Sequence, residues 1–213
     1  MKPFLLVLSS PSGGGKTTIA RALLDGREDM GYSVSATTRP MRDGEADGRD
    51  YHFLSREEFE RRVKAGAFLE WAEYGGNLYG TLRSEIDAIL ARGSVAVLDI
   101  EIRGAAQIRA RVPGAVHVFV LPPSAEVLGE RLRARRTESS ARIRQRLERA
   151  ADEVMAVPDY DYVVENANLV TAVDQVAAIV EAELHRVSRQ ERLGERIARL
   201  HGEILGEARR EQA

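Results

Sequence analysis

Ser10-Pro11-Ser12-Gly13-Gly14-Gly15-Lys16-Thr17 stands directly behind the short apolar run Phe4 to Leu8. Three consecutive glycines leave a loop whose backbone N–H groups can converge on an anion with no side chain in the way. The residues that follow, to Leu24, place Ile19, Ala20, Leu23 and Leu24 on one face of a helix. That sets a helix N-terminus, with its free N–H groups and positive dipole end, against the same anion. Strand, glycine loop and helix are the context a phosphate-binding loop requires. The strict pattern G-x-x-x-x-G-K-[ST] asks for glycine where Ser10 stands; a small residue at a strand end is a mild departure. The loop reads as a nucleoside triphosphate site and leaves the acceptor open.

The bulk composition suits a soluble, folded chain. Its 213 residues can bury one well-packed domain with lobes, and 44% hydrophobic with 30% charged residues argue against disorder. A formal charge of −2 gives no electrostatic reason to expect nucleic-acid binding. Cysteine is absent, which removes disulfides and thiolate metal sites and fits a reducing compartment. No apolar run has the length of a membrane span. The expectation is a cytoplasmic protein without nucleic-acid or membrane partners, its oligomeric state open to a homo-oligomer.

Downstream, Gly26 to Gly31 reads as a turn region and Tyr32-Ser33-Val34-Ser35 as the start of a strand. Ala36 to Glu45 is polar and without helical period, with Arg39 and Arg42 presented around Pro40. An exposed loop with two solvated arginines and a phosphate-gripping loop are both compatible with it. Asp50 to Leu54 reads as a strand, Ser55 and Glu58 as a capping box with Phe59, Val63 and Phe68 turned inward, and 67–81 as a hairpin about Gly75-Gly76-Asn77. Thr81 is expected to cap a helix from Leu82 to Ala91. Residues 34–94 thus read as a small mixed lobe inserted into a larger α/β core of 1–33 and 95–213.

The core resumes with Ser94 to Asp99, a continuous apolar run ending in a carboxylate, as in a parallel strand buried on both faces. A helix from Ala105 to Arg111, a strand from Val116 to Leu121 and a Ser124-capped helix follow. The arginine-rich stretch Arg131 to Arg149 reads as two helices joined by a mobile turn at 137–140, a composition that a solvated helix face also gives. A strand at 161–166 and an amphipathic helix from Val170 complete the core, with Gly194, Gly202 and Gly206 interrupting the tail.

Taken together the chain resembles the guanylate kinase family from about Phe4 to Leu184. The resemblance is carried by Pro11-Ser12-Gly13 through Lys16-Thr17, Val34 to Arg39, Arg42 to Glu45, Asp50-Tyr51, Phe68-Leu69-Glu70-Trp71, Tyr79-Gly80-Thr81, Leu98-Asp99-Ile100 and Pro122-Pro123-Ser124. It implies a phosphate-loop α/β core with a parallel sheet flanked by helices, an acceptor lobe and a helical lid over 125–150. It also implies transfer of the γ-phosphoryl of MgATP to GMP, in purine nucleotide metabolism. On that resemblance Ser10, Pro11, Ser12, Gly13, Gly14, Gly15, Lys16, Thr17 and Thr18 hold ATP with Asn166 at the adenine. Thr17 and Asp99 hold Mg²⁺; Ser35, Arg39, Arg42, Tyr51, Glu70, Tyr79, Thr81 and Glu101 hold GMP; and Lys16, Arg39, Arg135 and Arg146 serve the transfer. Guanine presents N1–H and N2–H₂ side by side, and an ionised Glu70 accepts only, which gives the base selectivity a physical ground.

Three places depart from the family pattern. Glu101 stands for a shorter acid, with Ile102-Arg103 ahead of Gly104; Arg136 replaces a lid glycine; Ser140-Ala141 replaces an acidic pair. These bear on rate and lid charge. A binding module that keeps the fold without catalysis, and a related kinase with another acceptor, are the rival readings. Lys16, Thr17, Arg39, Arg42 and Asp99 argue against the first, and Ser35, Glu70 and Thr81 against the second.

Overall fold

The computed structural model describes residues 1–134 and 140–211. Five parallel strands form the main sheet: β1 (Leu5–Ser9), β2 (Met30–Tyr32), β7 (Val95–Asp99), β8 (Val116–Leu121) and β9 (Tyr162–Glu165), in the order β2-β7-β1-β8-β9. Leu6 and Leu8 of β1 meet α1 (Lys16–Leu24) and α7 (Leu169–Leu184) on one face, through Ile19, Leu23, Val176 and Val180. Leu5 and Val7 turn to the other face and meet α3 (Arg83–Ala91) and α4 (Ile102–Arg111), through Ile86, Ile89 and Ile108. Covering both faces is what makes β1 apolar from Leu5 to Leu8. Each such aliphatic side chain taken from water contributes about 1.5–3 kcal/mol, so the sheet is the fixed frame for everything at its carboxyl edge.

The second sheet holds four strands in the order β4-β3-β6-β5: β3 (Ala36–Thr37), β4 (His52–Phe53), β5 (Phe68–Tyr74) and β6 (Asn77–Leu82). Beneath it lies α2 (Arg56–Lys64), whose N-cap Ser55 accepts from the Glu58 N–H as the capping box requires. Phe59 of α2 stacks on Phe68 of β5 with ring centroids 4.3 Å apart. Phe68 is therefore a strand residue facing the helix rather than part of it.

Several boundaries differ from those read in the sequence. The strand expected to open at Tyr32 ends there, because Met30 to Tyr32 pair with Val95 to Val97 of β7. Ala36 and Thr37, inside the stretch without period, form the short strand β3, with β4 and β6 on either side. α4 begins at Ile102 rather than Ala105, and α3 has no side-chain cap: its N-cap is Leu82. Thr81 is thereby released for another partner. α5 (Ala125–Arg133), capped by Ser124, and α6 (Ser140–Val154) share a small apolar cluster of Leu128, Leu132, Leu147 and Ala150. Arg135, Arg136 and the turn expected at 137–139 lie outside the described residues. The three tail glycines do not interrupt the chain, since α8 (Leu193–Arg210) runs through all of them.

Candidate active site

The carboxyl ends of β1, β7 and β9 bring the donor-side residues together. After Ser9 the chain turns through Pro11 to Gly15, with the Gly14 N–H donating to the Pro11 carbonyl at 2.8 Å. Gly15 is the N-cap of α1 at φ 102°, a left-handed conformation that side chains resist, so glycine is required there. Ser10 is buried and its hydroxyl donates to the Pro11 carbonyl, 2.9 Å. It thus ties the turn from within, where the strict pattern has glycine. A Cβ on Gly14 would stand 2.7 Å from that of Ser10, which shows how closely the loop is wound.

The loop is braced from β9 and α5. The Asn166 amide donates to the Gly14 carbonyl at 2.9 Å, and Arg131 donates to the Asn166 carbonyl at 2.8 Å. In this structure the buried Asn166 side chain holds the phosphate loop itself. Arg131 passes in the sequence for one more charge on an arginine-rich helix.

Lys16 points along the same edge and donates to Glu101 Oε1 at 2.8 Å. Burial works against its charge, but the Glu101 and Asp99 carboxylates outweigh that cost and hold its pKa above the ordinary lysine value. Thr17 donates its hydroxyl to Asp99 Oδ2, and the Tyr32 hydroxyl donates to Asp99 Oδ1 at 2.6 Å. Both carboxylate oxygens are thereby oriented. Burial, followed by the Asp99 charge, raises the Tyr32 pKa far above the ordinary phenol value, so it remains a donor. Nothing in the sequence singled out Tyr32, which reads as a core strand residue. Thr18 lies in the first turn of α1 and is exposed.

The residues expected to hold the acceptor gather on and around the second sheet. The Arg39 guanidinium lies 5.4 Å from the centroid of the Tyr51 ring, and Tyr51 packs edge-on to Tyr79 with centroids 6.0 Å apart. Glu45 fixes this loop: Oε1 pairs with Arg39 at 2.7 Å and Oε2 accepts from the Arg42 N–H at 2.8 Å. The Arg42 side chain is exposed, and Ser35 is half-buried beside β3. Burial raises the Tyr51 pKa, Asp99 raises it further and Lys16 lowers it. Tyr51 therefore senses the donor-side charges, and the two groups of residues face one another. Arg21 of α1 and Asp50 of the lobe pair across the same junction at 3.1 Å.

Glu70 is the buried acid of this sheet. A bulge between Phe68 and Glu70 shifts the register so that Glu70 lies opposite Thr81, and the Thr81 hydroxyl donates to Glu70 Oε1 at 2.7 Å. This bond replaces the helix cap expected of Thr81. Burial raises the Glu70 pKa against the lowering effect of the Thr81 bonds.

α6 closes over the phosphate loop. Arg146 Nε donates to the Ser12 hydroxyl at 3.2 Å, and the Ser12 N–H donates to Glu153 Oε2 at 3.2 Å. One turn on from Arg146, Arg149 sets its guanidinium 4.6 Å from the centroid of the Tyr74 ring on β5. Residues 146, 149 and 153 share one helix face, and that face touches both the loop and the second sheet. Burial and the nearby Glu101 charge raise the Glu153 pKa.

A glycine loop at a helix N-terminus, worked from one side by a hydroxyl–carboxylate pair and from the other by a lobe with its own arginine and buried acid, places the molecule among the phosphate-loop kinases. The comparison with known proteins gives the family. The guanylate kinase model matches residues 2–183. The guanylate kinase of Symbiobacterium thermophilum is 48% identical over 188 residues, 88% of this chain and 89% of that protein. That of Thermotoga maritima is 43% identical over 206 residues, 97% and 98% of the two chains. The crystal structure of guanylate kinase from Anaplasma phagocytophilum superposes with a TM-score of 0.75 at 36% identity, covering 91% of this chain and 92% of that one. The chain belongs to the guanylate kinase family.

Proposed function

We propose that the chain transfers the γ-phosphoryl group of ATP to GMP, giving ADP and GDP. The observation that carries the acceptor assignment is the buried Glu70–Thr81 pair, 2.7 Å apart, on the lobe that faces the phosphate loop. An ionised Glu70 accepts from guanine N1–H and N2–H₂ together; adenine, with an acceptor at N1 and no amine at C2, would leave a buried carboxylate unpaired. Losing a partner of that kind discriminates strongly between bases.

In this reading residues 34–94 form the acceptor lobe, 1–33 and 95–213 the phosphate-loop core, and 125–150 the lid. Lys16 leaves Glu101 for the β- and γ-phosphate oxygens of ATP, drawn by their greater charge. Arg39 and Arg42, with Tyr51 and Tyr79, hold the phosphate of GMP so that one of its oxygens lies in line with the γ-phosphorus. The new P–O bond forms to that oxygen as the bond to the ADP oxygen breaks, and the protein contributes position and charge rather than covalent chemistry. Arg146, with Arg135, offsets the charge on the moving phosphoryl, and α6 keeps water from competing as acceptor. Ser35 completes the guanine contacts, and Asn166 steadies the loop beneath the donor.

Mg²⁺ fits the donor set at Thr17 and Asp99, a hydroxyl and a carboxylate that are both hard oxygen ligands. Among the described residues no group of three His, Cys, Asp or Glu could hold a metal ion alone, so an ion here would complete its shell from phosphate and water. When bound, it neutralises charge on the β- and γ-phosphates. No helix of the described residues is long and apolar enough to cross a membrane.

ADP formation from ATP measured with GMP, AMP, CMP and UMP in turn tests the reading. GMP is expected to support turnover and the other three hardly at all, with Lys16→Ala removing turnover with every acceptor. Equal rates with AMP and GMP would overturn the Glu70 assignment, and an active Lys16→Ala enzyme would overturn the phosphate loop.

A further inference from the structure

The last helix has no place in the site and little contact with the rest of the molecule. α8 spans 18 residues, and none of them is buried. From Gly194 to Glu211 every residue but Gly206 is exposed. Ile197, Leu200 and Ile204 are 58%, 54% and 58% exposed, with half-buried Leu193 at the base of the same stripe. A monomeric surface seldom presents such a row.

The helix also has weak reasons to exist alone. Glycine is the poorest helix former after proline, and α8 carries Gly194, Gly202 and Gly206. Helices in proteins owe most of their stability to packing of an apolar face rather than to propensity. A helix that persists here calls for something to cover that face.

Spacing and charge identify what covers it. Leu193, Ile197, Leu200 and Ile204 recur at four, three and four residues, the seam of a coiled coil, with isoleucine at the a positions and leucine at d. The flanking g positions on one side of the seam are Arg196 and Glu203. In a parallel pair Arg196 would meet His201 and Glu203 would meet Ala208, with no charge matched. In an antiparallel pair g meets g, so Arg196 of each copy meets Glu203 of the other, twice by symmetry. The same register sets Ile197 against Leu200 and Leu193 against Ile204.

We propose that α8 is a self-association helix: two copies of this chain pair through it antiparallel about a two-fold axis, with Ile197, Leu200 and Ile204 in the seam and Arg196–Glu203 contacts on its flank. Such an interface is isologous and closes at two copies. A membrane surface is a poorer match, because the helix carries three glutamates among its four arginines, whereas interfacial helices concentrate basic residues on the polar face.

Sedimentation equilibrium of the full chain, from low micromolar to near-millimolar concentration, tests the proposal. The expected result is a concentration-dependent mass rising to twice that of the 23.6 kDa chain. Ile197→Glu is expected to hold the mass at one chain throughout while GMP-dependent turnover is unchanged, which shows the variant to be folded. Arg196→Glu and Glu203→Arg, each weakening association alone, are expected to recover it when the two variants are mixed. A single-chain mass at every concentration would overturn the proposal, as would a dimer that survives Ile197→Glu. Failure of the mixed variants to pair would overturn the antiparallel arrangement. Binding to vesicles of anionic phospholipid by a chain that stays single in solution would overturn it in favour of a lipid surface. The mass readouts do not depend on the acceptor being GMP, and the helical circular dichroism of Ile197→Glu checks its folding independently of turnover.

Discussion

The carboxylate of Glu70 occupies the space that a side chain on Gly104 would need: Oε2 lies 2.5 Å from where a Cβ at 104 would stand. Glu70 comes from the second sheet and Gly104 from the first turns of α4, so the lobe's buried acid is seated against the core. Gly104→Ala is expected to push the carboxylate aside without unfolding α4, since alanine suits a helix better than glycine. The KM for GMP should rise by about 10- to 100-fold, in the range that displacement by an ångström commonly costs. The KM for ATP should stay close to its starting value. Steady-state kinetics with each substrate varied in turn would show the split, and a parallel rise in both constants would refute it.

Acidity offers a second approach to the same residue. Burial holds the Glu70 pKa above the ordinary carboxylate range, while the proposed guanine contact draws on the ionised form. As pH falls through that raised pKa, binding must first remove a proton, and the KM for GMP should climb toward about tenfold per pH unit. The sign for stability is opposite to that of a paired acid. The folded state keeps a proton that the unfolded chain has lost, so Glu70's contribution is fully present below the ordinary glutamate pKa and is lost as pH rises through the folded value. Glu70→Gln should flatten both dependences, as measured by KM profiles and denaturant midpoints across pH.

Tyr32→Phe removes one of the two hydroxyl donors that orient Asp99. The ring remains, so packing beside β7 is preserved. A hydrogen bond to a charged group is worth about 1.5–3 kcal/mol. The concentration of Mg²⁺ needed for half-maximal turnover should rise by about 10-fold or more, with a matching loss when magnesium is titrated against the protein–ADP complex by calorimetry. An unaltered magnesium dependence would show that Thr17 alone is enough to fix the carboxylate.

Arg149 and Tyr74 join α6 to the second sheet, and a cation over an aromatic ring contributes about 0.5–1 kcal/mol at a half-exposed site. Arg149→Ala should therefore raise the KM for GMP two- to fivefold, close to the effect of Tyr74→Leu. The double variant should lose little more than either single one, as a shared contact requires. Additive losses in that cycle would separate the two residues.

These relationships mark where the sequence could and could not be read. The phosphate loop was legible because strand, glycines and helix are contiguous, and Asp99 because it ends an apolar run. Glu70 was legible only through the family resemblance, since its burial depends on a bulge that shifts β5 against β6. Thr81 reads as a helix cap because a hydroxyl before a helix satisfies a free N–H just as well as it satisfies a carboxylate across a hairpin. Tyr32, Arg131, Arg149 and Glu153 were invisible for a different reason. Their partners lie 67, 35 and 141 residues away for Tyr32, Arg131 and Glu153, and only the strand order and the placement of α6 bring such pairs together. The tail glycines misled because propensity was read without the apolar stripe that competes with it.

The bond from Asn166 to the Gly14 carbonyl, across 152 residues of chain, has a consequence for when the protein becomes competent. On a ribosome the phosphate loop emerges 152 residues before the amide that braces it, which directly follows β9, the last strand of the sheet in chain order. A nascent or truncated chain ending before β9 would carry the whole glycine motif and still present a slack loop. The braced form of the loop is thus one the chain reaches only once β9 has docked, so strand docking and loop order are linked.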